Sequence, residues 1–452
     1  MFKFKNRKEL DMLNGSLWDK ILIFALPLAL TGVMQQLLNA ADVAVLGQFV
    51  GKNAMAAVGN NTALIGLLVN LFMGLSLGAN VIIAQNIGAR KFEQIHNAVY
   101  SAFMMALVVG IGLCGIAQIL VTPIFELLEV PESVAPMAET YFRIYAIGMP
   151  VMGIYNFEAA IFRSHGDTQT PLVALTVASF LNIGLNLLFV LQFDLGVVGV
   201  AWATVIANAV SAFILFRALR QSAQLIRLDF EESELDKNCL KEIIRIGLPA
   251  GIQGMVFSLS NLLIQAAINS LGPDAMAASA AAFTIEINVF CLTSGFGQAA
   301  TTFVSQNYGA GNLPRCKEAT KIALGLNSLL MIILSAFILF FAEPLVTFFN
   351  SDPEVVRLGV IRIWYIIAPE IISVVMEIVS GALRGYGISL APAIITLIFV
   401  CGIRITWVFT VFANNPTYET LMAVYGLSWF FTMIFLIIAY RFYTKNLKVV
   451  PV

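Results

Sequence analysis

Asp42 is the residue of this 452-residue chain whose chemistry most needs a reason. It sits in "LLNAADVAVLG", residues 37–47, and no other acid or base occurs from Ile21 to Gly51. A carboxylate in hydrocarbon costs roughly 2.5–3.5 kcal/mol on insertion scales, so such a residue is a functional candidate by default. Asn182 and Asn186 stand four apart in "LNIGLN", which puts them on one face of a helix. Thr204 follows in "AWATVIA". One carboxylate, two amides and a hydroxyl can ligate Na⁺ through hard oxygens, or hold a carboxyl that takes up a proton. The plainer reading is interhelical hydrogen bonding without a transport role.

Other charges lie in apolar surroundings: Glu158 five residues before Arg163, and then Glu286, Glu370, Glu377 and Arg404. Glu158 pairs locally with Arg163 or serves an inner gate. Glu286 and Glu370 either pair with Arg404, the nearest base in the apolar runs, or face a cavity and attract a cation. For Glu377 the ion pair is the reading.

These residues must be positioned by membrane helices. The chain is 59% hydrophobic and 12% charged, whereas soluble proteins carry about 25% charged residues. Twelve apolar blocks are long enough to cross a bilayer, which takes about 20 residues each. They fall at 19–44, 57–83, 97–125, 138–162, 170–192, 197–217, 242–268, 276–304, 319–342, 358–383, 391–412 and 421–442. The fold class expected is therefore an all-α polytopic membrane protein. Most of the 26 Lys and Arg gather at the N-terminus, in alternate loops and after the last span. By the positive-inside rule both termini are cytoplasmic, in agreement with an even number of spans. Asp42, Asn182, Asn186 and Thr204 then fall in the outer halves of spans one, five and six, at one depth. Glu158 falls near the cytoplasmic face, and Glu286, Glu370 and Arg404 near mid-depth. The charged start, "MFKFKNRKELDMLNGSLWDK", lacks a cleavage site and reads as a retained pre-helix.

The sequence repeats itself. "GKNAMAA" at Gly51 returns as "GPDAMAA" at Gly272, "QNIGA" at Gln85 as "QNYGA" at Gln306, and "FRSHG" at Phe162 as "LRGYG" at Leu383. Each pair is offset by 221 residues (272 − 51, 306 − 85, 383 − 162). Six spans per half make the halves parallel repeats. The boundaries expected are a pre-helix over 1–18, an N-lobe over 19–217, an inter-lobe linker over 218–241, a C-lobe over 242–442 and a tail over 443–452. Pro27, Pro150, Pro249 and Pro369 fall inside spans, where each removes a backbone hydrogen bond and favours a kink.

With "FALPLALTGVMQQLLNAADVAVLG", the two QN-x-GA segments, "FRSHGDTQTP" and "LRGYG" in order, the chain resembles the multidrug and toxic compound extrusion (MATE) family over nearly its whole length. The resemblance implies a twelve-helix, two-lobed, V-shaped exporter of organic, often cationic, compounds in exchange for Na⁺ or H⁺. Asp42, Asn182 and Thr204 match the DinF-type branch, in which the fifth-span position occupied here by Asn186 is an Asp. The NorM-like branch has acids in spans seven and ten. Here span seven, "GIQGMVFSLSNLLIQAA", has none, and Ser373 stands at the span-ten position.

The expectation is thus an antiporter in the inner membrane of a prokaryote, monomeric, with lipid and a small organic cation as partners. No nucleic acid, no cofactor and no metal is expected beyond the coupling ion, with Na⁺ at Asp42 as the one candidate. An enzyme is disfavoured: the five Cys lack paired spacing, the two His are far apart, and there is no "GxxxxGK[ST]" loop. The alternative is a flippase for a lipid-linked or other amphipathic metabolite. Its anionic cargo would want cavity bases, and the embedded acids outnumber Arg404.

Overall fold

A computed structural model describes residues 10–127, 134–222, 225–231 and 233–447. The pre-helix expected over 1–18 lies outside the described residues up to residue 9, and the tail from 448 onward. The linker lies outside them at 223–224 and 232.

Helices account for nearly all of the described chain. The first half contains α1 (Trp18–Phe49), α2 (Lys52–Gly88), α3 (Phe92–Leu127), α4 (Ala135–Ile147), α5 (Met149–Ser164), α6 (Gln169–Leu187) and α7 (Gly196–Gln221). The second contains α8 (Lys237–Asn269), α9 (Pro273–Gly309), α10 (Leu313–Phe340), short α11 (Ala342–Thr347), α12 (Pro353–Ile367) and α13 (Glu370–Gly385). It closes with α14 (Leu390–Thr396), α15 (Ile403–Trp407) and α16 (Tyr418–Asn446). π-helical turns at Leu188–Gln192, Leu397–Gly402 and Val408–Phe412 extend α6, α14 and α15. Among the described residues ten helices or continuous helical runs are long and apolar enough to cross a membrane, and twelve if the pairs α4–α5 and α12–α13, bent by 49° and 42°, each count as one span. Pro150 and Pro369 sit at these two breaks, where a missing N–H lets the chain turn. Pro27 and Pro249 lie inside helices assigned as unbroken.

The repeat is written into the backbone. The left-handed residues Gly51, Arg90 and Gly166 of the first half (φ 124°, 55° and 97°) return as Gly272, Gly311 and Gly387 (φ 102°, 72° and 81°). Each of these pairs keeps the 221-residue offset (272 − 51, 311 − 90, 387 − 166). α2 and α9 are both 37 residues long, and α5 and α13 both 16.

Two compact units divide the chain, and their borders run through helices rather than through the linker. One unit holds Val33–Gly251, the other Met12–Gly32 with Ile252 onward. α1 and α8 therefore each leave one unit and join the other a few residues after their prolines. In the first unit the linker is anchored by buried Ile226 and Leu228, and by Phe230 edge-on to Tyr100 and Phe103.

Small residues let helices touch backbone to backbone, the usual means of association in a lipid solvent. In the second unit a Cβ added to Gly381 of α13 would stand 2.4 Å from the Gly297 carbonyl oxygen of α9. Gly381→Ala is expected to cost about 1–3 kcal/mol by overpacking, read as a lower unfolding temperature in detergent. An unchanged transition would mean that α9 and α13 separate freely.

Candidate functional site

In the first unit α1, α6 and α7 bring Asp42, Asn182, Asn186 and Thr204 into one hydrogen-bonded cluster. The i, i+4 spacing of the two asparagines aims both from α6 at Asp42. Asn186 Nδ2 donates to Asp42 Oδ1 at 2.6 Å and to Asn182 Oδ1 at 3.1 Å. Asn182 Nδ2 donates to Thr204 Oγ1 at 3.3 Å. The single Thr204 hydroxyl proton lies 3.0 Å (Oγ1 to oxygen) from either Asp42 Oδ2 or, one turn back, the Val200 carbonyl. Asp42 is 5% exposed, and Asn182 and Asn186 are buried.

Asn186 Oδ1 is buried with no hydrogen-bond donor among the described residues. Together with both Asp42 oxygens, Asn182 Oδ1 and Thr204 Oγ1 it makes five hard oxygens and one formal negative charge. That donor set fits a small monovalent cation. No base takes part in the cluster, so an entering cation, or a proton on Asp42, would be its first positive charge.

Sequence reasoning missed Tyr141 and Tyr145 of α4. They are buried, stack with centroids 6.1 Å apart, and lie close enough to Asp42 to feel its charge. Their own i, i+4 spacing was the available signal.

Elsewhere the structure corrects the pairings read from sequence. Glu158 and Arg163 form no ion pair. Five residues along a helix place their side chains about 140° apart, Arg163 lies toward Tyr155, and both Glu158 oxygens are buried without a hydrogen-bond partner among the described residues. In the second unit Glu286 of α9 pairs not with Arg404 but with Arg362 of α12, through Nε–Oε1 at 2.8 Å and Nη2–Oε2 at 2.9 Å. Arg362 reaches it because α12 starts at Pro353 and carries the side chain more than two turns inward, to 4% exposure. Arg404 is therefore not the only buried base of this half, and Glu286 is not a free negative charge. Glu370, the first residue of α13, is buried within hydrogen-bonding reach of Ser373 and has no ion-pair partner among the described residues. Arg404 bonds instead to Asn261.

Comparison with known proteins fits this geometry. The family model described as MatE matches twice, at residues 27–188 and 249–410, one match per half. The probable multidrug resistance protein YoeA of Bacillus subtilis is 27% identical over 402 residues, 86% of this chain and 86% of that protein. The FAD transporter of Shewanella oneidensis is 25% identical over 355 residues, 76% of this chain and 77% of that protein. The crystal structure of MATE in complex with MaL6 shares the fold with a TM-score of 0.91, at 20% identity, over 97% of this chain and 99% of that one. A family model that accounts for both repeats, on a helical fold shared end to end with a solved member, leaves one conclusion: the chain belongs to the MatE family of membrane transporters, and it is a multi-pass membrane protein.

Proposed function

We propose that the protein is a secondary antiporter that exports amphipathic, cationic organic compounds in exchange for Na⁺ or H⁺ taken up at Asp42. The observation that carries this reading is the convergence of α1, α6 and α7 on one buried carboxylate that has no counter-charge. In the proposed cycle the ion enters from outside, replaces hydrogen bonds within the cluster and changes how α1 packs on α6 and α7. Substrate leaves outward, and the ion is released inside after reorientation. The protein works as a monomer in the plasma membrane of a prokaryote with both termini in the cytoplasm, and the cluster stands nearer the DinF-type than the NorM-like pattern.

A second reading, export of an anionic amphipathic metabolite, is favoured by the relative named FAD transporter and by the two buried arginines of the second unit. Proteoliposome transport separates the two. A fluorescent organic cation should move against its gradient when driven by one of two imposed gradients, Na⁺ or pH, and a flavin dinucleotide should not. Movement of the dinucleotide alone, or of the cation with neither gradient, would overturn the proposal.

Thr204→Val keeps the shape and removes one oxygen. Hydrogen bonds to charged groups contribute about 1.5–3 kcal/mol, so the ion concentration for half-maximal export should rise by about tenfold or more. An unchanged value would exclude Thr204 from the ion's ligands.

A further inference from the structure

The repeat provides a counterpart of the Asp42 cluster in the second unit, and there the charge is inverted. The offset is 221 up to Gly166 and Gly387. The π-helical turn Leu397–Gly402 then accommodates one extra residue. The offset counted beyond that extra residue is 222. Counted past that turn, Arg404 is the counterpart of Asn182 (404 − 182 = 222), whereas Asp42, ahead of it, corresponds at the 221 offset to Leu263 (263 − 42 = 221). Asn261 stands two residues before Leu263 on α8, and Tyr425 is within one residue of the counterpart of Thr204. The second unit thus lacks the carboxylate and holds a cation.

The surroundings of Arg404 are those of a bound organic cation. The side chain is fully buried, at 0% exposure. Nη1 donates to Asn261 Oδ1 at 2.8 Å. The guanidinium carbon lies 4.4 Å from the ring centroid of Tyr425 and 5.3 Å from that of Phe257. Among the described residues no carboxylate lies within ion-pair distance of it, and Nε and Nη2 have no acceptor. Arginine stays charged in proteins, and a desolvated guanidinium is held well by aromatic faces.

We propose that Arg404 is a tethered cation filling the second unit's counterpart of the coupling site. The protein exchanges a cation in one repeat and carries a permanent one in the other, which limits coupling to a single ion site per molecule. The assignment of that ion to the first unit rests on the reading of Asp42 given above, whereas the need for a cation at position 404 can be tested without it.

Arg404→Ala leaves two aromatic faces and an amide oxygen around a space the size of a small planar cation. Export by this variant should fall to background. Millimolar methylguanidinium should restore export and raise the variant's unfolding temperature by several degrees, without effect on the wild type. Methylurea, of the same shape but neutral, should do neither. The thermal measurement is repeated with Asp42→Asn added: methylguanidinium still stabilises that double variant if only the reading of Asp42 is wrong. Equal effects of methylurea and methylguanidinium, no effect of either, or undiminished export by Arg404→Ala would overturn the proposal. Should Arg404→Ala fail to fold, Arg404→Lys and Arg404→Gln replace it. Lys should retain on the order of tenfold more export than Gln, and equal retention or equal loss would overturn the proposal.

Discussion

Asp42→Asn is expected to abolish gradient-driven export in protein that folds and inserts normally. The substitution keeps the shape of the side chain and an oxygen for Asn186 and Thr204 to address, and removes only the charge. The hydrogen bonds from Asn186 and Thr204 no longer meet a charge, and a cation loses its one anionic ligand. A unit charge pair at about 4 Å contributes about 4 kcal/mol at an effective dielectric of about 20, so apparent ion affinity should fall by roughly a hundredfold or more. Stability should not fall with it, because burying a carboxylate without a counter-charge is itself costly. The expected pattern is therefore export at background with an unfolding temperature equal to or above that of the wild type. Loss of both would mean that Asp42 is structural.

The second large effect is one of stability and concerns Glu286 and Arg362. Their bidentate pair is almost fully withdrawn from solvent, with side chains 10% and 5% exposed. Removing one partner of such a pair typically costs about 3–5 kcal/mol, because the other charge is left buried alone. Arg362→Met should therefore lower the unfolding temperature sharply, and Glu286→Leu added to it should recover most of the loss. The double-mutant cycle in detergent checks this, and additive losses would show that the two side chains act independently. Neutralised by Arg362, Glu286 should also make little difference to the preference between cationic and neutral cargo.

The first-unit site was legible in the sequence because its signals are local and helical. A lone acid in an apolar run, two asparagines on one face and a threonine at matching depth each follow from a 3.6-residue period and a direction of insertion. The repeat was legible for a similar reason, since five of the six paired left-handed positions are glycines and all six keep their spacing. What stayed hidden depends on where helices begin and bend. Hydropathy places the tenth span from residue 358, which leaves Arg362 at a water-facing end. The actual start at Pro353 and the bend before Pro369 carry that arginine inward to Glu286. Glu158 and Arg163 read as partners by proximity in sequence, but helical geometry turns them apart. The passage of α1 and α8 from one unit to the other could not be read either, because nothing in their apolar composition distinguishes which bundle each half joins.

Coupling between two ligands is reciprocal, and this gives the most direct measurement of the central claim. A substrate gradient is imposed across proteoliposomes without any ion gradient, and the countermovement of Na⁺ and of H⁺ is recorded. The account predicts that the wild type drives one of the two ions against the substrate flux, and that Asp42→Asn drives neither. Equal ion movement by the wild type and Asp42→Asn, or substrate movement by the wild type with no countermovement of either ion, would contradict it.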